Sequence, residues 1–235
     1  MKEHTLKIKE IIDEAPLVKT FRMHLPSDFP MDFFPGQFFM VHFPGNATFK
    51  RAYSIASSPT DHGFLDITLD LVGEFTKKLW GSQAGDELVF IGPYGKFYFN
   101  DSMKNDMVLI AGGLGITPMR SILRYCKDKK LPNKINLLYS VKKLESIIYQ
   151  KELDDYKNQL AHYSFIPTLT RLDEDHAWQG RVGRINMQLL KDNVFNITND
   201  LFFLCGSNEF VKVIRDMLYE MGTQKEQIKT DIWGE

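Results

Sequence analysis

Only two cysteines, Cys126 and Cys205, occur in the 235 residues. That is too few for a disulfide framework and fits a reducing compartment. It is also too few for an iron–sulfur cluster of the usual four-ligand kind. The chain has almost no net charge, -1 formally, so no global attraction to nucleic acid or anionic lipid is expected. No apolar run approaches the roughly 20 residues needed to span a bilayer. The first ten residues alternate charged and apolar and lack a secretory h-region. The 6 histidines show no close metal-ligand spacing, so no metal is expected. Repeats and low-complexity segments are missing as well. These absences lead to the expectation of a soluble, cytoplasmic protein of one large domain or two modest ones. Hydrophobic and charged fractions of 43% and 25% exclude a disordered chain.

What is present begins with Arg51-Ala52-Tyr53-Ser54. Arginine grips a phosphate through two donors at once, and tyrosine offers a flat face on which an aromatic ring can lie. Serine adds a small hydroxyl. On an extended segment Arg51 and Tyr53 point to one side and Ser54 to the other. The pattern suits a ligand with a diphosphate at one end and a flat heterocycle at the other. It suits equally an edge strand whose arginine pairs with a surface carboxylate.

Residues 5–12, 18–25, 37–43, 51–57, 65–71 and 87–91 read as short strands rich in β-branched and aromatic residues. Proline, glycine and Asx-rich breaks separate them. This spacing predicts an antiparallel barrel or sandwich. Gly73-Glu74-Phe75-Thr76 interrupts the pattern and leads into a short helix entered at Thr76. A helix start is a ready anion site, although the segment would serve as well as a cap closing the barrel. Gly92 to Phe97 is expected to form a tight turn at the end of this half.

Beyond residue 103 the pattern changes. Residues 107–111 are continuously apolar, as in a strand covered on both faces. They run into Gly112-Gly113-Leu114-Gly115-Ile116-Thr117-Pro118, where Thr117 is a candidate N-cap and Pro118 suits the first helical position. Met119, Ile122, Leu123 and Cys126 then recur at helical spacing. Strand, glycine-rich turn and helix form a unit whose helix start can hold a diphosphate, although it lacks the third glycine of the dinucleotide fingerprint. Strands at 135–140, 165–170, 201–205 and 228–232 alternate with helices at 148–160, 182–191 and 210–221. That alternation predicts a doubly wound parallel sheet, with ligands beyond the carboxyl ends of its strands. Gly112–Pro118 and Cys205-Gly206-Ser207 both fall at such ends. The expected domains are residues 1–102 and 103–235. Asp154-Asp155 and Asp173-Glu174-Asp175 read as solvated surface charge.

Taken in order, Arg51–Ser54, Gly73–Thr76, Gly92–Phe97, Gly112–Pro118, Thr168–Arg171 with Trp178–Val182, and Cys205–Ser207 resemble the ferredoxin–NADP reductase superfamily over essentially the whole chain. The resemblance implies a six-stranded Greek-key barrel binding FAD, an α/β domain binding NAD(P)H, and hydride transfer where they meet. It implies that Arg51 binds the flavin diphosphate, that Tyr53 stacks on the isoalloxazine and that Ser54 contacts its reactive edge. Ala52, the backbone of Ile67, Thr68, Leu69 and Asp70, and the Gly73–Thr76 turn complete that site. Gly112–Pro118, Ser140, Gly206 and Ser207 would hold the nicotinamide nucleotide, with Cys205 and Thr117 beside the nicotinamide. Lys142, Arg171 and Arg181 lie by family position near the adenosine ribose. Family members often end with an acidic residue and an aromatic over the flavin. Here the tail is Asp231-Ile232-Trp233-Gly234-Glu235, and Trp233 either covers the flavin or packs at a strand end. Ser54, Cys205 and Trp233 are thus the candidates at the reacting centre. Cys205 reads as a polarisable wall and not as a nucleophile. The implied activity is an NAD(P)H-dependent flavoprotein reductase serving a separate acceptor such as ferredoxin, flavodoxin or a haem or oxygenase partner. The alternatives are a free flavin, ferric-chelate or quinone reductase, and a non-catalytic nucleotide-binding regulatory protein.

Overall fold

A computed structural model describes residues 2–171 and 178–233. The acidic run Asp173–Asp175, His176, Gly234 and Glu235 lie outside the described residues.

The first sheet contains β1 (Lys2–Ala15), β2 (Val18–His24), β3 (Phe38–His42), β4 (Lys50–Ser54), β5 (Phe64–Asp70), a helix α1 (Glu74–Trp80) lying outside it, and β6 (Glu87–Tyr94). Its order is β4-β3-β6-β1-β2-β5, antiparallel throughout. Long β1 pairs with β6 through its first residues and with β2 from Lys7 onward, with register shifts at Ile8/Glu10 and Asp13/Ala15. Such bulges bend a strand and let one element serve two neighbours around a curved sheet. Every second residue of β5 points inward: Leu65, Ile67 and Leu69 join Phe21, Met23, Phe39, Val41 and Phe90 in a closed apolar core. The outer strands β4 and β5 close on each other where Ile55 bridges Ile67 and the Ala56 amide donates to the Asp66 carbonyl at 2.9 Å. Apart from that bridge, β4 forms a ladder with β3 alone among the described residues.

The second sheet is parallel and comprises β7 (Met107–Gly112), α2 (Ile116–Asp128), β8 (Ile135–Val141), α3 (Gln150–Asp155), β9 (Tyr163–Leu169), β10 (Arg181–Val182), α4 (Met187–Asn193), β11 (Leu201–Ser207), α5 (Asn208–Glu220) and β12 (Ile228–Trp233). Strand order is β10-β9-β8-β7-β11-β12, so the direction of winding reverses between β7 and β11. The unbroken apolar run of β7 is explained by its two covered faces. Met107, Leu109 and Ala111 pack with Met119, Ile122 and Leu123 of α2, whereas Val108 and Ile110 pack with Leu190 of α4 and Val211, Ile214 and Leu218 of α5. Among the described residues no helix is long and apolar enough to cross a membrane.

Several local expectations are corrected. Helix α1 begins at Glu74 with Gly73 as its N-cap, and Thr76 lies inside it, accepting from the Val72 and Gly73 amides at 3.0 Å each. Thr117 does not cap α2. A 3-10 turn at Gly113–Gly115 starts the helix earlier, with Gly115 at the cap, and the Thr117 hydroxyl donates back to the Leu114 carbonyl at 2.9 Å. Pro118 therefore sits at the third helical position, where its missing N–H is still harmless. The helix expected over 148–160 is confined to Gln150–Asp155 plus a 3-10 turn, because Tyr149 is left-handed at φ 59°. Val182 belongs to a strand, and the helix expected from it starts at Met187, capped by the Asn186 side chain on the Leu189 amide at 2.9 Å. Gly92–Tyr94 continues β6 and is not yet a turn.

The sheets are joined by a buried ionic lattice. Arg120 of α2 donates to Asp66 of β5 at 3.1 Å and to Glu152 of α3 at 2.8 Å. Arg124 donates to Glu152 at 2.6 Å and to Asp61 at 2.8 Å. Burial pushes the Glu152 carboxyl up, but Arg124 and Arg120 more than offset it and hold it at about 2. A depressed carboxylate stabilises the folded state above its unfolded value of 4.5, and that contribution fades as pH falls towards about 2. Glu152→Gln is expected to cost roughly 1–3 kcal/mol at neutral pH, below the cost of stripping one partner from a fully buried pair because Glu152 keeps 23% exposure. Denaturant unfolding from pH 7 to pH 2 should show the gap between variant and parent closing below pH ~4.5.

Candidate functional site

The carboxyl ends of the parallel strands open into a cleft of about 690 Å³. Its walls come from the glycine turn at Gly112, Gly113 and Leu114, from Ser140 to Lys142 at the end of β8, from Ser207 and Phe210 at the start of α5, and from Trp233. The barrel contributes Asp70 to Val72 and the β1–β2 turn at Ala15 to Leu17. Behind this cleft, Gly115 and Gly206 have a steric reason to be glycine. A Cβ on Gly115 would lie 2.1 Å from the Cys205 carbonyl oxygen, and one on Gly206 would lie 2.7 Å from the Phe210 ring. The turn after β7 and the end of β11 are thus pressed together, backbone on backbone, at the point where the winding reverses.

The reversal also brings the sheets' chemistry together. Ser54 is the last residue of β4, and its hydroxyl donates to Asp231 Oδ2 at 3.3 Å. Cys205 Sγ lies 3.8 Å from the same oxygen, since Cys205 and Asp231 are register partners in the parallel pair of β11 and β12. Burial raises the Asp231 carboxyl, with the Ser54 and Cys205 contacts pulling the other way. Burial and then Asp231 drive the Cys205 thiol well above its ordinary value, so it stays neutral. Sequence reasoning gives Asp231 no role of its own. The signal available for it is strand alternation, which sets Asp231 and Trp233 on one side of β12 and Ile232 on the other.

Arg51 is exposed on β4. It donates to the Lys50 carbonyl at 2.9 Å, stands 5.2 Å over the Phe49 ring, and pairs with no carboxylate among the described residues. β4 is an edge strand of its sheet, as the alternative has it, but the carboxylate pair is not found among the described residues. Tyr53 is part-buried, 5.8 Å from Phe75 of α1, and burial raises its phenol. Thr68 does not offer its side chain to this opening, because its hydroxyl is shared with Thr20 at 2.6 Å and receives the Tyr149 hydroxyl. Asp70 lines the cleft, its carboxyl raised by burial and drawn down by its own backbone and by Lys142. Of the cations expected near a ribose, Lys142 lines the cleft, whereas Arg181 faces Asp192 at 3.7 Å and is not on the cleft wall. Arg171 is exposed and is not on that wall either, its amide donating to the Lys142 carbonyl at 2.8 Å. Arg184, which the sequence does not single out, does line the cleft, beside Glu209 at 4.0 Å. Trp233 closes β12 at 41% exposure with Ser207 as register partner. No group of three or more metal-ligating side chains occurs among the described residues.

The residues fit a dinucleotide and a flavin nucleotide. A barrel edge whose strand has a ladder on one side alone, an arginine with no carboxylate partner among the described residues and a helix whose N-cap Gly73 has no side chain to occupy the first amides form one donor set. The backbone cradle of Gly112–Gly115 forms the other. Comparison with known proteins agrees. Residues 5–99 match the oxidoreductase FAD-binding domain family and residues 109–216 the oxidoreductase NAD-binding domain family. The F component of the Na(+)-translocating NADH-quinone reductase of Serratia proteamaculans is 26% identical over 204 residues, 80% of this chain and 50% of that protein. The 2-halobenzoate 1,2-dioxygenase electron transfer component of Burkholderia cepacia is 29% identical over 203 residues, 84% of this chain and 58% of that protein. The chain thus spans about half the length of the curated relatives it matches. Among solved structures, the ferredoxin reductase in carbazole 1,9a-dioxygenase has a TM-score of 0.86 at 22% identity, covering 99% of this chain and 70% of that one. The ferredoxin NADP+ reductase of Neisseria gonorrhoeae, solved with bound FAD and NADP, has a TM-score of 0.83 at 24% identity and covers 99% of both chains. These structural likenesses establish a shared fold.

Gly115→Ala is expected to lower Tm and abolish nicotinamide nucleotide binding, because the obstructing atom is backbone and cannot rotate away. Calorimetric titration with the nucleotide and a thermal melt of the same sample measure both effects.

Proposed function

Because the chain belongs to the oxidoreductases that join an FAD-binding domain to an NAD-binding domain, with the fold of the ferredoxin–NADP reductase superfamily, we propose that it is the reductase component of an electron-transfer pair, taking a hydride from NAD(P)H and delivering electrons to a separate acceptor protein. The observation that carries this reading is the convergence of Ser54 from the barrel and Cys205 from the parallel sheet on Asp231. Bound FAD would supply the chemistry, accepting a hydride and releasing its electrons singly.

The chain's own residues orient and enclose. Arg51 and the first-turn amides of α1 would hold the flavin diphosphate, Tyr53 would offer its ring face, and the backbone of Ser54 and of 68–70 would receive the polar rim. Gly112–Pro118 and Gly206-Ser207 hold the nicotinamide nucleotide's diphosphate, with Ser140, Lys142 and Arg184 towards its ribose. Cys205, kept as a neutral thiol, forms a polarisable wall at the reacting centre, and Ser54 and Asp231 hold a proton between their oxygens there. Trp233 shields the centre from water at the mouth of the cleft. Such placement contributes several powers of ten, because a misplacement of about 1 Å costs on the order of a hundredfold. The relatives named as an electron transfer component and as a ferredoxin reductase support a protein acceptor. A second reading, a reductase whose electrons end on a quinone, is favoured by the relatives named as components of an NADH-quinone reductase.

Purified protein should carry about one FAD per chain and bleach anaerobically on addition of NADH or NADPH; a colourless protein that refuses FAD would sink the proposal. Asp231→Asn and Ser54→Ala should each slow bleaching roughly tenfold to a hundredfold while FAD content stays constant. Reoxidation faster with a small redox protein than with a soluble quinone supports the protein acceptor, and the reverse order supports the second reading.

A further inference from the structure

The outward row of β5 is polar, Asp66, Thr68 and Asp70, yet it meets the other sheet where solvent would be expected. Asp66, without solvent exposure, accepts from Arg22 within the barrel at 2.9 and 3.0 Å and from Arg120 of α2 at 3.1 Å. One step along, Thr68 receives the Tyr149 hydroxyl, and another step along, Asp70 lines the nucleotide cleft. On the opposing side Arg120 also reaches the Ala56 carbonyl at 3.4 Å, and its guanidinium stacks 4.3 Å over the Tyr149 ring. The adjacent Ser121 hydroxyl donates to the Ser57 carbonyl at 2.6 Å. Tyr149 adopts a left-handed backbone at φ 59°, a conformation a side chain accepts only when its surroundings impose it. The anchors that meet β5 and the segment after β4 from the nucleotide side lie on α2, the helix that Gly112–Gly115 opens, or at the start of α3.

Energy alone does not account for this arrangement. A buried ion pair stabilises little more than apolar residues of the same volume would, and its geometry is what it supplies. The donors of Arg120 are directional and fixed, and they grip the strand that borders the opening between β4 and β5. We propose that Arg120, braced by Tyr149, is a positioning residue: it sets the register of helix α2 and its glycine turn against β5, and so fixes how closely the nicotinamide nucleotide approaches the flavin edge. This rests on the reading that the barrel edge and the cleft hold those two nucleotides.

The test uses the full chain in its parent form and as Arg120→Gln, Arg120→Lys and Tyr149→Phe. In Arg120→Gln, FAD content and KM for the nucleotide should stay within about twofold, while the anaerobic hydride-transfer rate falls on the order of a hundredfold. Arg120→Lys, which keeps the charge and loses the fork, should recover part of that loss. Calorimetry of flavin-stripped protein supplies a readout independent of turnover: one unfolding transition in the parent should split into two in Arg120→Gln as the sheets uncouple. A rate within twofold of the parent, or a rate loss matched by lost FAD, overturns the proposal. Should Arg120→Gln not fold, Tyr149→Phe decides, an unchanged rate overturning the proposal and a several-fold slower rate with full FAD content supporting it. If the parent binds no FAD, the assigned activity fails separately, and the calorimetric arm still decides the joint, a single transition in both proteins counting against it.

Discussion

A carboxylate hidden from water holds the two sheets in register. Asp66 is fully buried, so its charge costs several kcal/mol to desolvate unless donors replace the lost water. Arg22 replaces part of that water from within the barrel and Arg120 replaces the rest from the other sheet. Neither half alone satisfies the group. The barrel strand and the helix are therefore obliged to meet in one arrangement, and the site between them inherits its geometry from that obligation.

The same economy appears at the reacting centre. The end of β4, the turn after β7 and the ends of β11 and β12 are separated by long stretches of sequence but meet where the parallel sheet reverses its winding. Ligands sit at such points in open α/β sheets because adjacent loops diverge there and leave a crevice. Here the crevice has one barrel wall and one parallel-sheet wall, so one chain presents two dissimilar surfaces to two cofactors.

Much of this is legible in the sequence. Alternation in 65–71, the apolar run of 107–111 and the glycine turn after it each follow from a local period or a local steric need, and each is found. The acid at position 231 and the cations at 120 and 184 are harder, because their partners lie far away in the chain. Phe-Leu-Asp-Ile-Thr-Leu-Asp reads as a strand with one wet face, and periodicity cannot distinguish a face in water from a face against another sheet. Thr117 and Thr76 mislead for a different reason. Both look like caps, but glycines ahead of them let each helix begin earlier and free their hydroxyls to fasten the turns instead.

The two-faced character of β5 carries an evolutionary consequence. Deleting or inserting one residue in that strand would exchange its rows, driving Asp66 and Thr68 into the barrel interior and turning Leu65 and Ile67 out against Arg120 and Tyr149. Core and joint would fail together. Length changes in descendants of this chain should accordingly collect in exposed turns such as that around Gly45 or Gly63, where an added Cβ meets nothing, and stay out of 64–70.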